Sequence, residues 1–125
     1  MIPGFEDMTH EVNDDEIAMA HSMAGAFNLR IGKENAISGA KIISIYKDRH
    51  GIKLNDGRLR KIIQYIRLHN LSPRLAACSK GYFIANNDEE YNEWIISMEN
   101  RIRQTQYTLA CVHYFSGQGN ENKEI

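Results

Sequence analysis

Between Asn55 and Asn70, Gly57, Arg58, Arg60, Lys61, Gln64 and Arg67 stand at spacings that place them on and beside one face of a helix. Arginine can bond a guanine edge through two parallel hydrogen bonds, glutamine can do the same for adenine, and lysine can reach either a base or a phosphate. Gly57, near the start of such a helix, lets the backbone come close to a sugar-phosphate strand where a side chain would prevent it. The free amides at that end can also hold phosphate, although Asp56 opposes this. The remaining positions, Leu59, Ile62, Ile63 and Ile66, fall at i, i+3, i+4 and i+7, the stripe that fastens a helix to a core. Arg74 and Lys80 flank this helix from the segment that follows it. Lys41, Lys47 and Arg49, on a preceding helical stretch, would meet phosphates without reading sequence.

Other chemistries find no constellation. Cys111 and His113 are two apart in a helical stretch and point to different faces, Cys78 has no partner at CxxC spacing, and His10, His21, His50 and His69 show no HExxH or HxxxH pairing. No metal site is expected. No GxSxG, GxxxxGK[ST] or GxGxxG occurs, so neither catalysis, a cofactor nor a small-molecule ligand is indicated. The expectation is of a protein that is not an enzyme. No apolar run approaches the roughly 20 residues of a membrane span. Met1-Ile2-Pro3-Gly4-Phe5-Glu6 lacks the basic start and apolar stretch of a secretory signal, which leads to the expectation of a cytoplasmic, reducing compartment and two free, buried thiols.

The charge is sorted along the chain. Residues 1–29 hold six acids (Glu6, Asp7, Glu11, Asp14, Asp15, Glu16) and no Lys or Arg. Residues 30–84 hold twelve bases against Glu34, Asp48 and Asp56, and the rest returns the total to −1. A middle carrying +9 favours a polyanion as partner, because each phosphate neutralised releases counterions.

The elements that would position these residues can be read in order. Residues 1–12 form a loose arm. Asn13 caps a first helix over 14–29, with Glu16 placed to close a capping box and Ile17, Ala20, Met23, Ala24 and Phe27 at helical spacing. Its acids sit at the positive end of its own dipole. After the short extended piece Asn35–Ile37, Ser38 caps a second helix to about Arg49, buried through Ile42, Ile43, Ile45 and Tyr46. Gly51 stops it in a left-handed turn, with Ile52 and Leu54 tucked against the core. Asn55 caps the third helix. Leu75–Cys78 and Tyr82–Ala85 around Ser79-Lys80-Gly81 read as a hairpin in which alternation buries one of Tyr82 and Phe83. A last helix over 88–115 repeats Tyr91, Ile95, Met98, Ile102, Thr105, Leu109 and Val112 at alternating spacings of four and three. Such a seam wants a helical partner: the first helix of the same chain, or the same helix of a second copy in a homodimer. Residues 116–125 read as a disordered tail. The fold class is α+β, mainly helical, a winged helix-turn-helix with a short β-hairpin wing and a long C-terminal helix, forming one domain over 13–115.

Leu59-Arg60-Lys61-Ile62-Ile63 with Ile66-Arg67, then Ala77-Cys78-Ser79-Lys80-Gly81-Tyr82-Phe83, resembles the small winged-helix proteins of bacterial phages and prophages. In those a recognition helix of the form VRKIIxxLR leads into a hairpin of the form ICSSxxGYY, followed by a charged amphipathic helix. The resemblance covers about half of this chain. It implies double-stranded DNA as partner, a regulatory or replication-associated role and no enzyme activity. The chain departs in its longer turn, His50–Leu54, and in Gly57, where the family tends to carry a polar or charged residue. Two other readings stand beside it. The basic middle could dock an acidic protein, or the acidic first helix could cover the basic surface as a lid.

Overall fold

The structure, a computed structural model, describes residues 12–121, with side chains described to residue 117. The expected arm, apart from Val12, lies outside the described residues. The chain divides into two compact units between Tyr91 and Asn92, where a single domain was expected.

The first unit has the element order of a winged helix-turn-helix: α1 (Asp14–Phe27), a single 3-10 turn (Lys33–Asn35), α2 (Gly39–His50), α3 (Asp56–Leu68), then a hairpin of β1 (Leu75–Cys78) and β2 (Gly81–Ile84). α1 ends at Phe27, slightly earlier than expected. Each helix begins where a side chain can take up a free amide: Asn13 accepts from Glu16, Ser38 from Lys41 and Asn55 from Arg58. α2 stops at Gly51, in the left-handed region at φ 63°, and the Ile52 amide returns to the Tyr46 carbonyl at 3.1 Å. Asn70 plays the same part after α3, with φ 53° and the Leu71 amide bonded to Ile66.

The core collects one stripe from each helix: Met19, Ala20, Met23, Ala24 and Phe27 of α1, Ile42 and Tyr46 of α2, and Leu59, Ile62, Ile63 and Ile66 of α3. Phe83 is the buried member of its pair of aromatics, while Tyr82 is half-buried with its ring 5.9 Å from that of Phe27. Both cysteines are free thiols and half-buried rather than buried. Cys78 lies at the exposed end of the hairpin, and Cys111 lies on the last helix.

The hairpin is tighter than expected. Cys78 pairs with Gly81, leaving only Ser79 and Lys80 as the turn. On its other side β2 bonds two short segments: Tyr82 exchanges hydrogen bonds with Ile37 at 2.8 and 2.9 Å, and Ile84 bonds Arg30 and Gly32 at 2.8 Å. β2 is therefore the central strand of the unit. The approach at Ile37 is so close that a Cβ on Gly81 would lie 2.1 Å from the Ile37 carbonyl oxygen, and φ of 126° independently strains any other residue there.

The last helix, α4 (Asp88–Glu121), starts with Asn87 accepting from the Glu90 amide. It continues past the expected end near Phe115, so the segment 116–121 is helical where a disordered tail was expected. Its glycines weaken a helix but, unlike proline, do not break it. From Asn92 on it forms the second unit. No helix among the described residues is long and apolar enough to cross a membrane.

Gly81→Ala should cost about 3 kcal/mol of unfolding free energy, from a forced backbone shift added to an unfavourable φ. Gly51→Ala, whose Cβ would meet nothing within 4 Å, should cost about 1 kcal/mol. Urea unfolding of the two variants checks the order, and equal losses would remove the close approach as the cause.

Candidate nucleic-acid interface

The positions of α3 are sorted by depth. Leu59, Ile62, Ile63 and Ile66 are buried, while Gly57, Arg60 and Gln64 are exposed, so they form an outward stripe at i, i+3 and i+7. Lys41 and Lys47 on α2 are exposed, as are Arg49 and, in the turn, Lys53. Lys80 is exposed at the hairpin tip.

The four other cations of the expected site, Arg58, Lys61, Arg67 and Arg74, are engaged inside the fold. Arg58 and Lys61, one turn apart on α3, converge on the carboxylate of Glu16 at the start of α1: Arg58 Nε lies 3.1 Å from Oε2 and Lys61 Nζ 3.0 Å from Oε1. Glu16 is only 1% exposed, whereas the two cations keep about a third of their side-chain surface. The Asn13 amide donates to Oε1 at 3.2 Å while Asn13 Oδ1 accepts from the Glu16 amide at 2.8 Å, closing the capping box. Burial alone would raise the Glu16 pKa. The Lys61 ammonium, the Asn13 amide and the Arg58 guanidinium together hold it below the ordinary carboxylate value.

Arg67 turns towards the hairpin instead of flanking the outward face. Its Nε donates to the Leu75 carbonyl at 3.4 Å and its guanidinium lies 5.9 Å from the centre of the Tyr82 ring. Burial draws its pKa down from the usual arginine value, against the opposing influence of Tyr82 and Tyr91. Arg74, at φ 65°, pairs with Asp88 and lies over the Tyr91 ring at 5.1 Å. It ties the base of the hairpin to the first turn of α4. Arg67 and Arg74 thus hold the wing in place, and their side chains are not on the outward stripe.

Sequence reasoning gave Glu16 a capping role at the positive end of the helix dipole and did not foresee its burial. The signal was present: Glu16 shares a helix face with Ala20, Met23 and Phe27 at i+4, i+7 and i+11. A carboxylate on an apolar stripe must find cations, and Arg58 and Lys61 supply them. Ser72, buried with its hydroxyl donating to the Ala24 carbonyl at 3.0 Å, gave no comparable signal. Among the described residues no group of three His, Cys, Asp or Glu side chains converges as a metal site.

The chain matches no family model, no curated protein and no solved structure.

Glu16→Gln should lower stability by about 2 kcal/mol at pH 7, since two charge-assisted bonds to a buried acceptor are weakened. Because the folded pKa is depressed, the wild-type advantage is fully present above the unfolded value near 4.5 and is lost as pH falls through the folded one. Unfolding curves from pH 7 to pH 3 should therefore converge for the two proteins. A constant gap would mean that Glu16 acts through packing alone.

Proposed function

We propose that this protein binds double-stranded DNA, with α3 in the major groove, the hairpin tip on the flanking backbone and α2 across the strand, in a phage- or prophage-associated regulatory or replication role of the kind its resemblance implies. The observation that carries this reading is the outward stripe of α3, where Gly57, Arg60 and Gln64 are exposed opposite a fully buried apolar stripe. Arg60 and Gln64 supply base-reading groups on a rigid helix, and Gly57 keeps the helix start slim. Lys41, Lys47 and Lys80 supply backbone contacts, and Arg49 and Lys53 extend the same positive surface. Arg58 and Lys61 contribute mainly by orienting α3, since Glu16 already neutralises part of their charge. No catalytic step belongs to this reading.

Arg60→Ala and Gln64→Ala should each relax sequence preference, costing about 1–3 kcal/mol against the preferred base, whereas Lys80→Ala should weaken binding to all duplexes alike. The six exposed cations of the helix-turn-helix and wing bound the salt dependence: log affinity against log salt should be no steeper than about −5. Sites chosen from a random duplex library, followed by titration at several salt concentrations, check these outcomes. Failure to bind any duplex at low salt overturns the proposal and leaves an acidic protein as the partner to seek.

Gly57→Ala separates folding from binding. The new Cβ meets only Asn55 Oδ1 at 3.5 Å, so the variant should be more stable by about 0.5 kcal/mol. Its DNA affinity should nevertheless fall if a strand approaches the helix start. Unchanged affinity would show that the strand passes elsewhere.

A further inference from the structure

We propose that α4 beyond Asn92 is a self-association surface whose occupant is the same helix of a second copy. Ile95, Met98, Ile102, Thr105, Leu109 and Val112 alternate spacings of three and four along one side of it, as the a and d positions of a heptad do. Ile102, Leu109 and Val112 are exposed by 57, 55 and 54%. From Gln104 to Asn120 the chain has no Asp, Glu, Lys or Arg, although Gln104 to Gly117 are exposed except for half-buried Cys111. Solvated helices carry charge; an uncharged, apolar-striped one is built to be covered.

Thr105 is the one polar member of the seam, and its hydroxyl already donates to the Arg101 carbonyl one turn back at 2.8 Å. It can therefore enter an apolar interface without stranding a donor.

A second copy is the occupant because the seam is itself a regular a/d repeat that an identical helix matches, whereas among the described residues no other helix has an uncovered stripe of that pattern. The apolar face of α1 is spent in the core through Met19, Ala20, Met23, Ala24 and Phe27. The stripes of α2 and α3 are spent in the same way. An identical helix supplies the same six positions at the same spacing. The charged side chains near the seam, Glu99 and Arg101, are of opposite sign, so pairing with a copy concentrates neither charge.

Sedimentation equilibrium of the full chain tests this. The wild type should move from one chain's mass, 14.3 kDa, towards twice that mass between about 1 and 200 μM, as a modest helical seam allows. Leu109→Asp, or Val112→Asp as a second variant, should weaken association at least about a hundredfold by placing a carboxylate in the seam. Tyr107→Asp, on the opposite side of the helix and 74% exposed, places the same carboxylate outside the seam and should change association by less than about threefold. A wild type that stays monomeric throughout, or a Tyr107→Asp variant that dissociates as readily as Leu109→Asp, overturns the proposal. DNA binding is not part of this readout, so the two proposals can fail separately.

Discussion

Burial of a single stripe of α3 is the constraint on which the first unit depends. Leu59, Ile62, Ile63 and Ile66 are each at most 2% exposed, and they meet the buried face of α1 and part of that of α2. Once they are placed, the 3.6-residue period leaves no choice about which side of α3 faces outward. Gly57, Arg60 and Gln64 are exposed because Leu59, Ile62, Ile63 and Ile66 cannot be. A rotation of the helix by one position would expose isoleucine and bury arginine, two costs of several kcal/mol in the same direction.

Hydrophobic burial is tolerant of small rotations, however, and the Glu16 carboxylate is not. Its oxygens accept from Arg58 on one side and from Lys61 and the Asn13 amide on the other, so α1 can begin only where α3 presents both cations. A buried ion pair is a poor source of net stability, because desolvation offsets much of the Coulomb attraction. Its strength lies in direction. Here it joins the cap of one helix to the rotational setting of another, at the cost of drawing two cations away from the external field.

That division explains what could be read from the sequence and what could not. Caps, stops and stripes are local: Asn13, Ser38, Gly51, Asn55 and the α3 repeat act within a few residues, and each lies where its chemistry predicts. Long-range pairing carries no such mark. Nothing near Arg67 in sequence indicates that it will reach the Leu75 carbonyl, and nothing near Arg74 selects Asp88. Charge counting over residues 30–84 treats all twelve cations alike, whereas the fold assigns Arg58, Lys61, Arg67 and Arg74 to internal work. The end of α4 was misread for a different reason: glycine and asparagine lower helix propensity without forbidding the helix. Composition alone therefore set its end too early.

The internal cations and the strand pairing act together on the wing. A two-residue turn between paired strands leaves Lys80 little freedom of its own, and β2 is bonded on both edges, by β1 on one side and by Ile37 with the Arg30–Gly32 segment on the other. Gly81 permits that second edge by admitting the Ile37 backbone where any side chain would stand. Arg67 then links α3 to β1, and Arg74 links the base of β1 to the start of α4. A hairpin held at its base, along both edges of its inner strand and by a guanidinium from α3 cannot swing as a flexible arm does. Under the proposed DNA binding, the entropy lost would fall mainly on the side chains of Arg60, Gln64 and the exposed lysines, about 0.5–1.5 kcal/mol each. The internal cations thus fix the frame that carries the exposed ones.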